Sequence, residues 1–152
     1  MSIRIEPISA ADYDAWLPLY RGYAAFYKVP MPEDTSRRLF GWLVDPSHVM
    51  EGRLARDEAG KVVGLAHFRA MPRPLAAAEI GFLDDLFVAS DVRGGGVGRA
   101  LLLHLADVAR ERGWAKIRWI TATDNGRARL LYDQVATATA WVTYEMASSQ
   151  ST

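Results

Sequence analysis

No cysteine occurs in the 152 residues, so disulfides, thiolate metal sites and a cysteine nucleophile are excluded. Charge of one sign is missing too: 18 basic residues face 18 acidic ones, for a formal net charge of zero. Displacing counterions from a polyanion needs a basic excess, so no general binding to nucleic acid or to an anionic membrane is expected. Long apolar runs are also lacking. Residues 1–16 carry Glu6, Asp12 and Asp14 where a signal peptide has its apolar centre, and no later stretch approaches the ~18 uncharged apolar residues of a membrane span. The expectation is a soluble protein, with the cytoplasm as default compartment.

Half of the residues are hydrophobic. A chain of this length buries roughly 68–70% of its unfolded surface, enough for one core without staples. We expect a single domain over residues 1–146 and a frayed, small and polar tail over 147–152. Ile3, Ile5 and Ile8 predict a first strand, with Pro7 near its end. Ser9 and Asp12 have capping-box spacing before Tyr13, Trp16, Leu17 and Tyr20 at helical intervals. Pro18 should bend or break that helix. Asp34 is placed to cap a helix carrying Leu39, Trp42 and Leu43. Residues 50–56 and 61–71 form a hairpin pattern around Asp57-Glu-Ala-Gly60, and Pro72 and Pro74 should interrupt pairing before a strand over 79–88. Val97, Leu101, Leu105 and Val108 then mark a helix that ends at Gly113, with Arg110 and Arg112 in its last turn. A strand over 116–121, a short helix from Asp124 to Gln134 and a last strand over 141–146 complete the pattern. This order predicts an α/β or α+β sandwich around a mixed sheet.

Arg93-Gly94-Gly95-Gly96-Val97-Gly98 follows a strand and opens a helix, so several N–H groups and the positive end of the helix can converge on an anion such as a phosphate. The dinucleotide pattern fails at Arg99, where its third glycine belongs, and the P-loop pattern fails at Gly98-Arg99-Ala100. A turn without a ligand remains the plain alternative.

The same residues resemble the GCN5-related N-acetyltransferases (GNAT), whose acetyl-CoA turn reads Arg/Gln-x-x-Gly-x-Gly/Ala. Arg93, Gly96 and Gly98 match it after the strand Leu86-Phe87-Val88, and Asn125 to Tyr132 is similar to that family's asparagine-to-tyrosine helix. The resemblance implies a three-layer sandwich whose central mixed sheet is mostly antiparallel, flanked by helices. It implies acetyl-CoA as cosubstrate, held by Leu86, Phe87, Val88, Arg93, Gly94, Gly95, Gly96, Val97, Gly98 and Arg99, with Asn125 and Arg129 assisting. Residues 82–93 look like the diamine (spermidine/spermine) acetyltransferases. The segment from Leu131 to Tyr144 looks like the yeast histone and D-amino-acid subgroup, although Val135-Ala-Thr-Ala-Thr-Ala140 replaces the usual Gly-Phe.

If acetyl-CoA is the donor, an amine must attack the thioester directly in a ternary complex, because no cysteine or Gly-x-Ser-x-Gly elbow can carry the acyl group. An amine of pKa ~10.4 is only about one part in 2,500 free base at pH 7. Asp84 and Asp85 interrupt an apolar strand and are the candidate carboxylates. Regular alternation puts Asp84 on the face of Leu86 and Val88, and Asp85 with Leu83 and Phe87. The resemblance favours Asp84 as base with Asp85 as a second anion and Glu79 as runner-up, while pairing to Arg69 or Arg118 is the structural alternative for either. It also makes Tyr132 the donor to the departing thiolate. Tyr23, Phe26 and Tyr27 are candidate walls of the acceptor pocket, although packing accounts for such aromatics as well. His48, His67 and His104 lack metal-ligand spacing and read as packing or surface residues; no metal is expected. The partner is then a small amine or a protein amine, with a homodimer compatible. A non-catalytic domain that binds or senses acyl-CoA is the alternative function.

Overall fold

The computed structural model describes residues 2–149. Its elements are β1 (Arg4–Pro7), α1 (Tyr13–Phe26), α2 (Glu33–Val44), β2 (Met50–Arg56), β3 (Val62–Arg73), β4 (Ala78–Val88), α3 (Val97–Arg112), β5 (Ile117–Arg118) and α4 (Gly126–Val135). The strands form one sheet in chain order, antiparallel from β1 to β4 and parallel only between β4 and β5. Helices α1 and α2 cover one face through Trp16, Tyr20, Phe40 and Leu43, packed on Leu54 and Leu65. Helix α3 covers the other through Val97, Leu101, Leu105 and Val108, and α4 joins it through Leu131, Tyr132 and Val135. This is the expected three-layer sandwich.

Five local expectations are corrected. Pro18 does not break α1, which runs unbroken. Pro18 and Asp14, whose carbonyl it leaves without a helical partner, are both exposed, so water takes the lost bond while the buried Trp16, Tyr20 and Ala24 hold the helix down. The β3–β4 ladder continues through Pro72↔Glu79 and Arg73↔Ala78. Beyond Arg69, β3 has no β2 neighbour, which gives a proline an open side where a missing N–H costs no ladder bond. The strand expected over 116–121 contracts to Ile117–Arg118. No strand forms over 141–146, where Trp141, Val142, Tyr144 and Met146 lie in solvent. In the tail expected over 147–152, residues 150–152 lie outside the described residues; 147–149 are exposed. Helix α2 begins at Glu33 after Pro32, one residue ahead of the expected Asp34 cap.

Sheet and α3 approach closely at Gly64, where a Cβ would stand 2.8 Å from Val97 Cγ1 and 3.1 Å from Leu101 Cδ1. Gly64→Ala is therefore expected to destabilise the fold by about 1–3 kcal/mol, read from urea unfolding, because neither neighbour has room to retreat within the packed core.

Candidate active site

Position 84 is a bulge. His67 faces Asp85 and Phe68 faces Leu83, so Asp84 has no partner across β3. The extra residue reverses the parity expected from alternation. Leu83, Leu86 and Val88 all pack on the α3 layer, whereas Phe87 packs with the α1 and α2 layer. The two aspartates separate accordingly. Asp84 pairs with Arg69 (Oδ2 to Nε 2.9 Å) near the surface, which is the ion-pair alternative. Asp85 turns toward α1.

There it meets residues that sequence reasoning set aside. Trp16 Nε1 donates to His67 Nε2 at 3.0 Å. An indole N–H can only donate, so Nε2 accepts and the ring proton sits on Nδ1, which lies 2.8 Å from Asp85 Oδ2. The Tyr20 hydroxyl donates to the same oxygen at 3.0 Å. Burial alone would raise the Asp85 carboxyl, but the hydrogen bonds from His67 and Tyr20, with the Tyr23 phenol nearby, outweigh it and hold it below the ordinary range. Both phenols are pushed well above theirs, by burial first and by Asp85 second. Trp16 and His67 are fully buried. A histidine inside an apolar strand was the available signal, but its partners stand 51 and 18 residues away in sequence.

Because Asp85 is anionic and depressed, its contribution to stability is present above the usual aspartate value near 3.9 and is lost as pH falls through the lower value held in the fold. Melting temperatures of the wild type and Asp85→Asn, measured from about pH 6 down to 2, should converge at the acid end. A gap that stays constant would contradict the assignment.

On the far side of β4 the last β4–β5 pair is Phe82↔Arg118, so residues 83–88 have no strand along that edge. The opening leads into a cleft of about 560 Å³. One wall is the end of β4, Leu86 to Val88. The next is the glycine turn: Gly94 and Gly96 sit at φ 87 and 86, a region that side chains avoid. The first bond of α3 is Ala100 N–H to Gly96 O (2.9 Å), which leaves the N–H groups of Val97, Gly98 and Arg99 without intrahelical partners at the positive end of the helix. No acidic residue stands in that first turn, and Arg93, Arg99 and Arg127 line the cleft. Leu131 and Tyr132 of α4 and Asn125 at its N-cap close it on one side, and Tyr23 and Phe26 of α1 with Tyr27 just after it on the other. A cation-lined cradle of free N–H groups fits a pyrophosphate, and the unpaired edge of β4 beside it leaves backbone groups open to an extended thioester arm.

Most expected cofactor residues therefore meet in one place. Two do not line it. The Gly95 N–H is spent on Val92 O (3.1 Å), and Arg129 donates to Thr123 O (2.8 Å), bracing the loop before α4. Tyr132 is half-buried, its ring edge-on to Trp119 at 5.3 Å, and burial followed by the nearby Tyr27 pushes its phenol up. Neither aspartate borders the cleft directly; Tyr23 does, and Asp85 lies behind it.

The model of the Acetyltransferase (GNAT) family matches residues 16–136. The chain belongs to this family. As a GNAT member it is 34% identical over 144 residues to the D-amino-acid N-acetyltransferase HPA3 of Saccharomyces cerevisiae, covering 94% of this chain and 89% of that protein. It is 27% identical over 133 residues to YhfO, an uncharacterized N-acetyltransferase of Bacillus subtilis, with 87% of each covered. The crystal structure of a ribosomal-protein-alanine N-acetyltransferase from Brucella melitensis biovar Abortus 2308 superposes with a TM-score of 0.82 at 29% identity, over 97% of this chain and 99% of that one. The yeast relative agrees with the likeness noted for the segment from Leu131 to Tyr144 of this GNAT sequence.

Proposed function

We propose that this GNAT chain is an acetyl-CoA-dependent N-acetyltransferase that moves the acetyl group to a primary amine by direct attack in a ternary complex. The observation that carries the reading is the single cleft in which the open edge of β4, the N-terminus of α3 and Tyr132 converge. In this reading the amine nitrogen attacks the thioester carbon and the carbonyl oxygen takes the negative charge. An N–H of the β4 edge near Leu86, a segment without a β5 neighbour, stabilises that oxygen. Collapse breaks the carbon–sulfur bond, and the Tyr132 hydroxyl hydrogen-bonds the departing thiolate. The nitrogen proton passes to water.

Asp85 replaces Asp84 as the acceptor-side anion in this proposal. Asp84 is occupied by Arg69, whereas Asp85 is anionic behind Tyr23 at the cleft wall. A carboxylate held this acidic is a weak base. Its part is to attract an ammonium group and to stabilise the positive charge that develops on nitrogen during attack. Residence in the cytoplasm, a homodimer and a single domain over residues 1–146 belong to the same reading.

The test follows thiol release from acetyl-CoA with D- and L-amino acids, polyamines and lysine peptides, with mass spectrometry of the products. D-amino acids come first because the yeast relative is named for them. We expect turnover with at least one of these primary amines, none with its N-acetylated form, and a kcat/KM that rises with pH as the free base grows. Acetyl-CoA binding without thiol release on any amine would instead favour a non-catalytic acyl-CoA sensor.

A further inference from the structure

The Trp16 indole, the His67 imidazole and the Tyr20 phenol are buried in the layer between α1 and the sheet, where apolar side chains would pack without polar groups to satisfy. Their bonds converge on one atom. His67 Nδ1 (2.8 Å) and the Tyr20 hydroxyl (3.0 Å) both meet Oδ2 of Asp85. Oδ1 of the same carboxylate accepts no hydrogen bond among the described residues, yet no buried side-chain oxygen there is left without a partner, so Oδ1 reaches solvent. The Asp85 side chain is 18% exposed.

Trp16 sets the direction of this chain of bonds. Its indole N–H claims Nε2 of His67 as acceptor at 3.0 Å, so the imidazole keeps its proton on Nδ1, facing Asp85. The rings are held in turn. Trp16 stacks on Tyr20 at 5.1 Å and Tyr20 on Tyr23 at 5.5 Å, while His67 stands edge-on to Tyr20 at 4.8 Å. Burial pushes the Asp85 carboxyl toward its neutral form, and two donors on one oxygen keep it ionised. What results is a fixed anion with one open oxygen, beside the Tyr23 phenol that lines the cleft.

We propose that His67, its proton held on Nδ1 by Trp16, is a positioning residue that together with Tyr20 clamps Oδ2 of Asp85 and leaves Oδ1 to receive the ammonium group of the acceptor. The inference rests on the proposed reading of Asp85 as the acceptor-side anion. The titratable groups facing that carboxylate are His67 from β3 and Tyr20 and Tyr23 from α1, with the Arg69–Asp84 ion pair next along the sheet.

His67→Phe keeps a ring and removes one donor. Tyr20→Phe removes the other and retains the stacked ring, which supplies a folded variant if the first loses too much stability. Each is followed from about pH 8 to 5 by the carboxyl resonance of Asp85 in protein made with isotope-labelled aspartate, assigned through Asp85→Asn, and by kcat/KM for the best amine. Wild-type Asp85 stays ionised over that range. In either variant one donor fewer opposes burial, so the carboxyl rises and the anion is lost toward acid. The ratio of wild-type to variant kcat/KM should widen roughly tenfold from the alkaline to the acid end, because each unit by which the carboxyl rises is a factor of ten in its anion. Asp85→Asn has no charge to lose and should differ from wild type by one constant factor, with His67→Phe/Asp85→Asn following the same shape. A variant factor that is equal at every pH is that of a packing residue and would overturn the proposal, as would a carboxyl that titrates alike in wild type and both variants. A carboxyl that moves while the kinetic profile does not removes Asp85 from acceptor binding, and this role with it, but leaves acetyl transfer standing. Absence of turnover on every amine removes acetyl transfer itself together with the role.

Discussion

Tyr132→Phe is expected to bind acetyl-CoA as the wild type does and to turn over its best amine roughly 10²- to 10⁴-fold more slowly. The substitution removes one oxygen and leaves the ring, so the edge-on contact with Trp119 at 5.3 Å and the packing of α4 on the α3 layer persist. What disappears is the hydroxyl of a residue that lines the cleft. Burial and the neighbouring Tyr27 push that phenol up, so it stays protonated and available as a donor throughout the neutral range. Full transfer to a thiolate of pKa ~8.5 is already uphill by about 2 kcal/mol for an ordinary tyrosine of pKa ~10, and the upward shift makes it more so. Hydrogen bonding to the departing sulfur is therefore the role the side chain can fill. Isothermal titration separates binding from turnover, and a wild-type kcat in the variant would remove Tyr132 from the chemistry.

Gly96→Pro is expected to weaken acetyl-CoA binding by roughly 100-fold or more, equivalent to about 2.7 kcal/mol. Gly96 sits at φ 86 and its carbonyl accepts the first hydrogen bond of α3, so it sets where the helix starts and where its free N–H groups point. Proline fixes φ near −65° and has no N–H. The turn must re-form with a different aim, which costs more than one hydrogen bond to the ligand. The body of α3 is anchored further along by Leu101, Leu105 and Val108, so thermal unfolding should remain cooperative. Unchanged affinity in a folded variant would move the anion site elsewhere.

The glycine turn was legible in the sequence because its chemistry is local. Left-handed backbone at Gly94 and Gly96 calls for glycine, and the apolar spacing from Val97 to Val108 announces the helix behind it. Antiparallel pairing of β2 with β3 was legible for a similar reason, since alternation and turn residues lie within one stretch, whereas the β3–β4 ladder that continues through Pro72 and Arg73 was not. The acceptor side was not. A bulge at Asp84 inverts a parity count that depends on every residue before it, and the Trp16–His67–Asp85 connection joins an α1 residue to two strands through contacts that no spacing encodes. Residues 141–146 failed in a different way. Their alternation is that of a strand, but a strand is completed by its neighbour, and alternation says nothing about which edge supplies it.

The most direct test of direct acetyl transfer is a single turnover with acetyl-labelled acetyl-CoA, enzyme in excess and an active amine, stopped by acid at successive times. Label is expected to leave acetyl-CoA and appear on the amine with matching time courses, with one free thiol per acetyl group and none on the acid-precipitated protein at any time. Label that accumulates on the protein before reaching the amine, or acetyl-CoA that stays intact when bound beside every amine offered, would contradict it.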